Sequence, residues 1–151
     1  MTDTTITNRE RSYTLFLLVI VFTSSHVDRQ IVAILQEPIK QAFAISDTQL
    51  GLLTGVMFAF FYATLGMPMA MWADRRDRRN LITFSITVWS AMTALCGAAI
   101  QFWQLLLARI GVGVGEAGSN PPSHSIISDL YGPNERATAM AIFGLGVNFG
   151  V

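Results

Sequence analysis

Four charged residues sit where charge is most expensive. Asp28 and Arg29 fall inside one otherwise apolar stretch, and Arg109 and Glu116 fall inside another. In hydrocarbon an unpaired charge costs at least about 2.5–3.5 kcal/mol, so such groups turn toward a bundle interior or a wet cavity and find partners. Arg109 and Glu116 are seven apart, two helical turns, and share one helix face. Asp28 and Arg29 are adjacent and point about 100° apart, so they cannot both address one partner in the same way. The chemistry open to this set is proton exchange. An arginine favours an ionised carboxylate and apolar surroundings disfavour it, so rearranging the pairs as a cavity opens takes up or releases a proton. The plainer reading is a static, neutralised network that fixes helix register. His26 and His124 are lone histidines in apolar stretches, read first as hydrogen-bonded packing residues and only then as proton relays.

The elements that must hold these charges follow from the composition. The 151 residues carry ten Lys+Arg and ten Asp+Glu, only 13% charged in all, while 52% are hydrophobic. A soluble domain of this length needs about a quarter of its residues charged, so a bilayer is the more natural solvent. No excess of basic residues marks a nucleic-acid partner. One cysteine, Cys96, excludes an internal disulfide framework and a cysteine-rich metal site. No charge occurs in 12–27, 48–73, 80–108 or 137–151. Since about 20 mostly apolar residues cross a bilayer, four complete spans and the opening of a fifth are expected, at roughly 12–35, 48–73, 80–100, 103–130 and 136–151.

Arg9 and Arg11 precede the first span, Arg75, Arg76, Arg78 and Arg79 separate the second from the third, and Arg136 precedes the fifth. Basic loops stay inside, so these three segments share the cytoplasmic side, and residues 1–11 form a cytoplasmic tail ahead of a helical bundle at 12–151. The first span has no small-residue cleavage site and runs on through Asp28-Arg29, so it is retained rather than removed as a secretory signal. Ser46 opens a capping box with Gln49, which starts the second helix near residue 47. Gly51/Gly55, Gly111/Gly115 and Gly146/Gly150 are each four apart and suit close helix packing. Gly113, Gly115 and Gly118 spell a dinucleotide fingerprint, but no strand precedes them and they lie mid-span, so nucleotide binding is excluded. Pro121-Pro122 should bend or loosen the same span.

The loop after the second span, Ala70-Met71-Trp72-Ala73-Asp74-Arg75-Arg76-Asp77-Arg78-Arg79, resembles the signature loop of the major facilitator superfamily. Its acid and arginines stand at Asp74, Arg75, Arg78 and Arg79, with Ala70 and Asp77 where the pattern has glycines. Arg109-x-x-x-Gly113-x-Gly115 is similar to the superfamily's fourth-helix motif, and Leu130-Tyr131-Gly132-Pro133-Asn134-Glu135-Arg136 to its next cytoplasmic loop. Asp28-Arg29 together with Gly113-Val114-Gly115-Glu116-Ala117 most resembles the spinster-like transporters.

The resemblance implies an all-α integral membrane fold, the front of the N-terminal six-helix half of a twelve-helix transporter whose halves rock around a midplane site. It implies proton coupling or gating at Asp28 and Glu116, with Arg29 pairing to them, while the seven-residue spacing lets Arg109 and Glu116 point into the same cavity. Asp74, Arg75, Arg78 and Arg79 would form a conformational latch. His26, Asn120 and Ser123 are candidate cavity-lining residues, as are Phe60, Phe61 and Tyr62. The expected partners are a small organic or lipid-like solute, protons, membrane lipids and the missing C-terminal helices of the same chain. No cofactor, metal site or enzymatic constellation is expected, and the expected location is the plasma (inner) membrane. The alternative is a small standalone membrane protein, structural or assembly-related, that oligomerises through its small-residue faces.

Overall fold

The computed structural model describes residues 7–75 and 77–150, and the side chains of all of these except 70 and 73–75. Among the described residues the chain is helical, without strands. The order is α1 (Asn8–Ile34), α2 (Gln36–Phe43), α3 (Asp47–Gly51), a π-helical turn (Leu52–Val56), α4 (Met57–Arg75), α5 (Arg78–Gly97), α6 (Phe102–Ala117), α7 (Asn120–Leu130), α8 (Pro133–Gly144) and α9 (Gly146–Phe149).

Local chemistry sets the ends. Thr7 and Glu10 exchange side-chain and backbone hydrogen bonds, at 3.3 and 2.8 Å, so α1 starts at Asn8, ahead of the first span's expected beginning. Ser46 and Gln49 do the same at 3.3 and 2.9 Å, and α3 starts at Asp47 as its capping box requires. Asp77 accepts from the Arg79 N–H at 3.0 Å and caps α5. Its φ of −63° is ordinary, so no glycine is needed at that turn. Gln104 accepts from the backbone N–H groups of Ile100 and Gln101 at the entry of α6.

The expected fourth span at 103–130 is two helices, α6 and α7, parted at Gly118 and Ser119. Pro121 and Pro122 cannot donate to carbonyls one turn back, so the ladder stops ahead of them and restarts with the prolines in the first turn of α7. The fifth segment begins at Pro133, earlier than 136, because Gly132-Pro133 suits a helix start, and it breaks at Leu145 between α8 and α9.

Two of the three glycine pairs pack as their spacing suggests. A Cβ on Gly111 would meet Met92 of α5, and one on Gly115 would stand 2.7 Å from the Trp89 backbone nitrogen, so α5 and α6 touch nearly backbone to backbone. Gly146 and Gly150 let α9 approach α1 at Thr23 and His26 in the same way. Among the described residues, a Cβ on Gly51 or Gly55 would meet nothing within 4 Å. The main apolar cluster, Leu15, Leu18, Ile82, Ile127, Ala139 and Phe143, joins α1, α5, α7 and α8 at the end of the bundle that carries the arginines. Asn8–Ile34, Asp47–Met69 and Arg78–Gly97 are long and apolar enough to cross a membrane. Large side chains such as Phe16, Phe60, Phe84 and Leu107 point outward, which suits lipid rather than water.

Candidate functional site

The charges of α1 and α6 meet in the middle of the bundle. Arg29 donates from Nε and Nη2, at 2.8 and 2.6 Å, to one oxygen of Glu116, Oε2. The Glu116 side chain is 1% exposed and that of Arg29 33%. The Arg29 guanidinium also lies over the rings of Tyr62 and Phe58, 4.9 and 5.1 Å from their centroids, so α4 supplies its apolar support. The second Glu116 oxygen, Oε1, is buried without a hydrogen-bond partner among the described residues.

Asp28 turns the other way, as adjacency on a helix demands. Its Oδ2 accepts from the Thr93 hydroxyl at 2.9 Å and from the Trp89 indole N–H, both on α5. It opens on a groove of about 520 Å³ that includes Ser24 and Ser90. The carboxylate is therefore held by neutral donors rather than by an arginine.

Arg109 is 5% exposed. Its guanidinium lies 5.3 Å from the Phe58 ring centroid, so Phe58 carries both arginines, and its Nε has no hydrogen-bond partner among the described residues. Arg109, Arg29, Phe58, Thr54 and Gln36 line a small, partly open cavity of about 120 Å³.

Of the other expected lining residues, Asn120 donates to the Tyr62 hydroxyl at 2.7 Å and ties α7 to α4. Ser123 is buried and donates to the Ser119 carbonyl at 2.7 Å, within its own helix end. His26 places Nδ1 3.0 Å from the Phe22 carbonyl and its ring against that of Phe22. His124 sets Nδ1 3.3 Å from the Met140 sulfur and its ring against Phe143. Phe60 is exposed and Phe61 half-buried, the two rings edge to face.

At the basic end, Arg78 pairs with Asp129 of α7. Arg11 pairs with Glu135 at 2.5 Å and covers the Tyr131 ring, and Arg136 donates to the Ser128 carbonyl at 2.8 Å. The three arginine-bearing segments thus gather at one end. Arg79 is exposed, and the side chains of Asp74 and Arg75 lie outside the described residues.

The sequence pattern of the Major Facilitator Superfamily matches residues 15–151. The chain belongs to that superfamily. An efflux pump of the superfamily from Mycolicibacterium smegmatis is 36% identical over 131 residues, which cover 87% of this chain and 30% of the relative. A sphingosine-1-phosphate transporter of Danio rerio is 30% identical, over 83% of this chain and 25% of the relative. Among solved structures, a bacterial homologue of the human lysosomal transporter Spinster, inward-facing and unoccupied, superposes with a TM-score of 0.91 at 46% identity. That match covers 95% of this chain and 30% of the Spinster homologue. The chain therefore spans between a quarter and a third of the length of these proteins and is spinster-like in sequence and fold. With its apolar helices, membership makes it an integral, multi-pass membrane protein.

Reading charges alone missed the groups that hold this superfamily member's charges in place. Trp89 and Thr93 cage Asp28, and Phe58 underlies both arginines. The signal for the cage was present: Ser85, Trp89 and Thr93 recur every four residues, a polar stripe along one face of an apolar helix. No comparable signal distinguishes Phe58 from the other aromatics of its helix.

Proposed function

We propose that the chain is the front of the N-terminal half of a secondary active transporter that moves a small organic or lipid-like solute by alternating access, coupled to protons. The observation that carries this reading is the Arg29–Glu116 pair, which joins α1 to α6 through a carboxylate shut off from solvent. A proton arriving on Glu116 removes its charge and frees Arg29, so protonation and the contact between the two helices are one event. Asp28, one residue away but bound to α5, is a second proton site that answers to a different helix. A lipid-like solute is supported by likeness to a protein named for sphingosine-1-phosphate.

The loop residues Asp74, Arg75, Arg78 and Arg79 serve as the latch. Arg78 is already engaged with Asp129, at a wet end of the bundle where pairs exchange at little cost. The N-terminus and this end face the cytoplasm, and the protein resides in the plasma (inner) membrane, following the arginine bias.

Glu116→Gln in the whole transporter tests the coupling. Uptake driven by a pH gradient into proteoliposomes falls to background, with expression and membrane insertion unchanged. Loss of expression instead assigns Glu116 a purely structural role.

A further inference from the structure

We propose that Phe58 is a positioning residue that keeps Arg109 from pairing with Glu116, so that Glu116 is bound to Arg29 alone. Arg109, Gly113 and Glu116 follow one another along one face of α6, at steps of four and three residues. Arg109 and Glu116 are both buried, and among the described residues the Arg109 Nε and the Glu116 Oε1 have no hydrogen-bond partner. Opposite charges shut off from water attract strongly, and a bond between these two groups would satisfy both orphaned atoms at once. Glu116 nevertheless meets Arg29 alone among the described residues.

The step between the two charges is filled from α4. A Cβ on Gly113 would stand 3.2 Å from Phe58 Cδ2 and 3.4 Å from the Phe58 carbonyl oxygen, so Phe58 lies against bare backbone at the position between Arg109 and Glu116. Its ring centroid is 5.3 Å from the Arg109 Cζ and 5.1 Å from that of Arg29. An aromatic face attracts a guanidinium without engaging its N–H groups, so the ring gives Arg109 a resting place other than the carboxylate. Phe58 is itself held: its ring stacks on that of Tyr62, 5.9 Å between centroids, and the Tyr62 hydroxyl accepts from Asn120 at 2.7 Å. The charged and titratable groups facing this cluster are Asp28 and Arg29 on α1, Tyr62 on α4, Cys96 on α5, and Arg109 and Glu116 themselves on α6. With one arginine, Glu116 loses its partner when α1 moves away; with two, it keeps one and stays ionised through the movement. Phe58 thus makes the carboxylate answer to α1 alone. This role rests on the transport reading for its purpose, but the pairing is read without any gradient, so the two fail separately.

The test is made on the whole transporter in two measurements. Melting temperatures in maltoside detergent are taken for Arg109→Gln, Glu116→Gln and the double variant, each in the wild type and in Phe58→Leu, which fills much of the same volume without a ring face. The two shifts are expected to add in the wild type and to stop adding in Phe58→Leu, where Arg109 reaches Glu116; Phe58→Tyr, which keeps the face, restores additivity. In proteoliposomes, the pH of half-maximal uptake falls by about one unit in Phe58→Leu, because a second arginine holds the carboxylate ionised, and stays at the wild-type value in Phe58→Tyr. Replacing Phe58 by para-fluorophenylalanine weakens the pull of the ring at nearly constant shape, moves both readouts the same way by a smaller step, and carries the test if the leucine variant does not fold. Additivity lost in Phe58→Leu while wild-type uptake shows no pH dependence supports the spacer and removes the coupling. Shifts that add equally in wild type and Phe58→Leu, a pH profile that moves as far in Phe58→Tyr as in Phe58→Leu, or a fluorinated ring that changes neither readout overturns the proposal and leaves Phe58 a packing residue.

Discussion

Among the described residues arginine meets carboxylate in two settings, and the acid's access to water separates them. Glu116 is shut away at 1% side-chain exposure beneath Arg29, whereas Asp129 beneath Arg78 and Glu135 beneath Arg11 are each 62% exposed. The desolvation already spent on Glu116 means that breaking its pair leaves a charge with no alternative solvation. At the basic end water replaces the lost partner, so those pairs contribute little and exchange readily. The contrast sets the costly pair in the middle of the bundle and the pairs that exchange cheaply at its basic end.

The largest effect that would break this contrast is on the buried pair. Arg29→Met strands Glu116 and is expected to cost about 3–5 kcal/mol of stability, read by denaturation in detergent. A loss under about 1 kcal/mol would place Arg29–Glu116 in the same class as the exposed pairs. Next is the backbone approach that holds α6 in place. In the 151-residue chain Gly115→Ala drives a methyl group against the Trp89 backbone and is expected to cost about 1–3 kcal/mol. Gly51→Ala, in open space, stays within about 0.5 kcal/mol of wild type. Asp129→Asn is the smallest, about 0.2–1 kcal/mol and shrinking as salt is added. Its companion is kinetic: Asp74→Asn slows turnover in a transport assay while solute binding persists, and unchanged turnover would remove the latch from the mechanism.

How far the sequence carried can be judged at particular residues. Charge-free runs located the helices because hydrocarbon tolerates few charges, and Ser46 with Gln49 marked a helix start because a capping box is complete within four residues. The split of the expected fourth span at Gly118 was foreshadowed by Pro121-Pro122 as a bend, but the clean break into α6 and α7 was not. A missing N–H says which bond is lost, and the packing of Gly118 against Ser85 shows where the chain gives way. Gly51/Gly55 and Gly111/Gly115 carry the same signature, and only the second pair has a neighbour among the described residues.

The sequence by itself determined that Asp28, Arg29, Arg109 and Glu116 are buried charges needing partners, and that Asp28 and Arg29 must look in different directions. Both conclusions follow from solvent cost and helical periodicity, which are local properties. The family resemblance has Arg29 pairing with both acids; tertiary structure decided that it takes Glu116 alone, that Trp89 and Thr93 take Asp28, and that Arg109 keeps an unpartnered nitrogen over Phe58. Partner choice depends on the rotation and spacing of helices distant in sequence, and that geometry comes from many small contacts, such as Gly115 against Trp89, whose sum no single residue type announces.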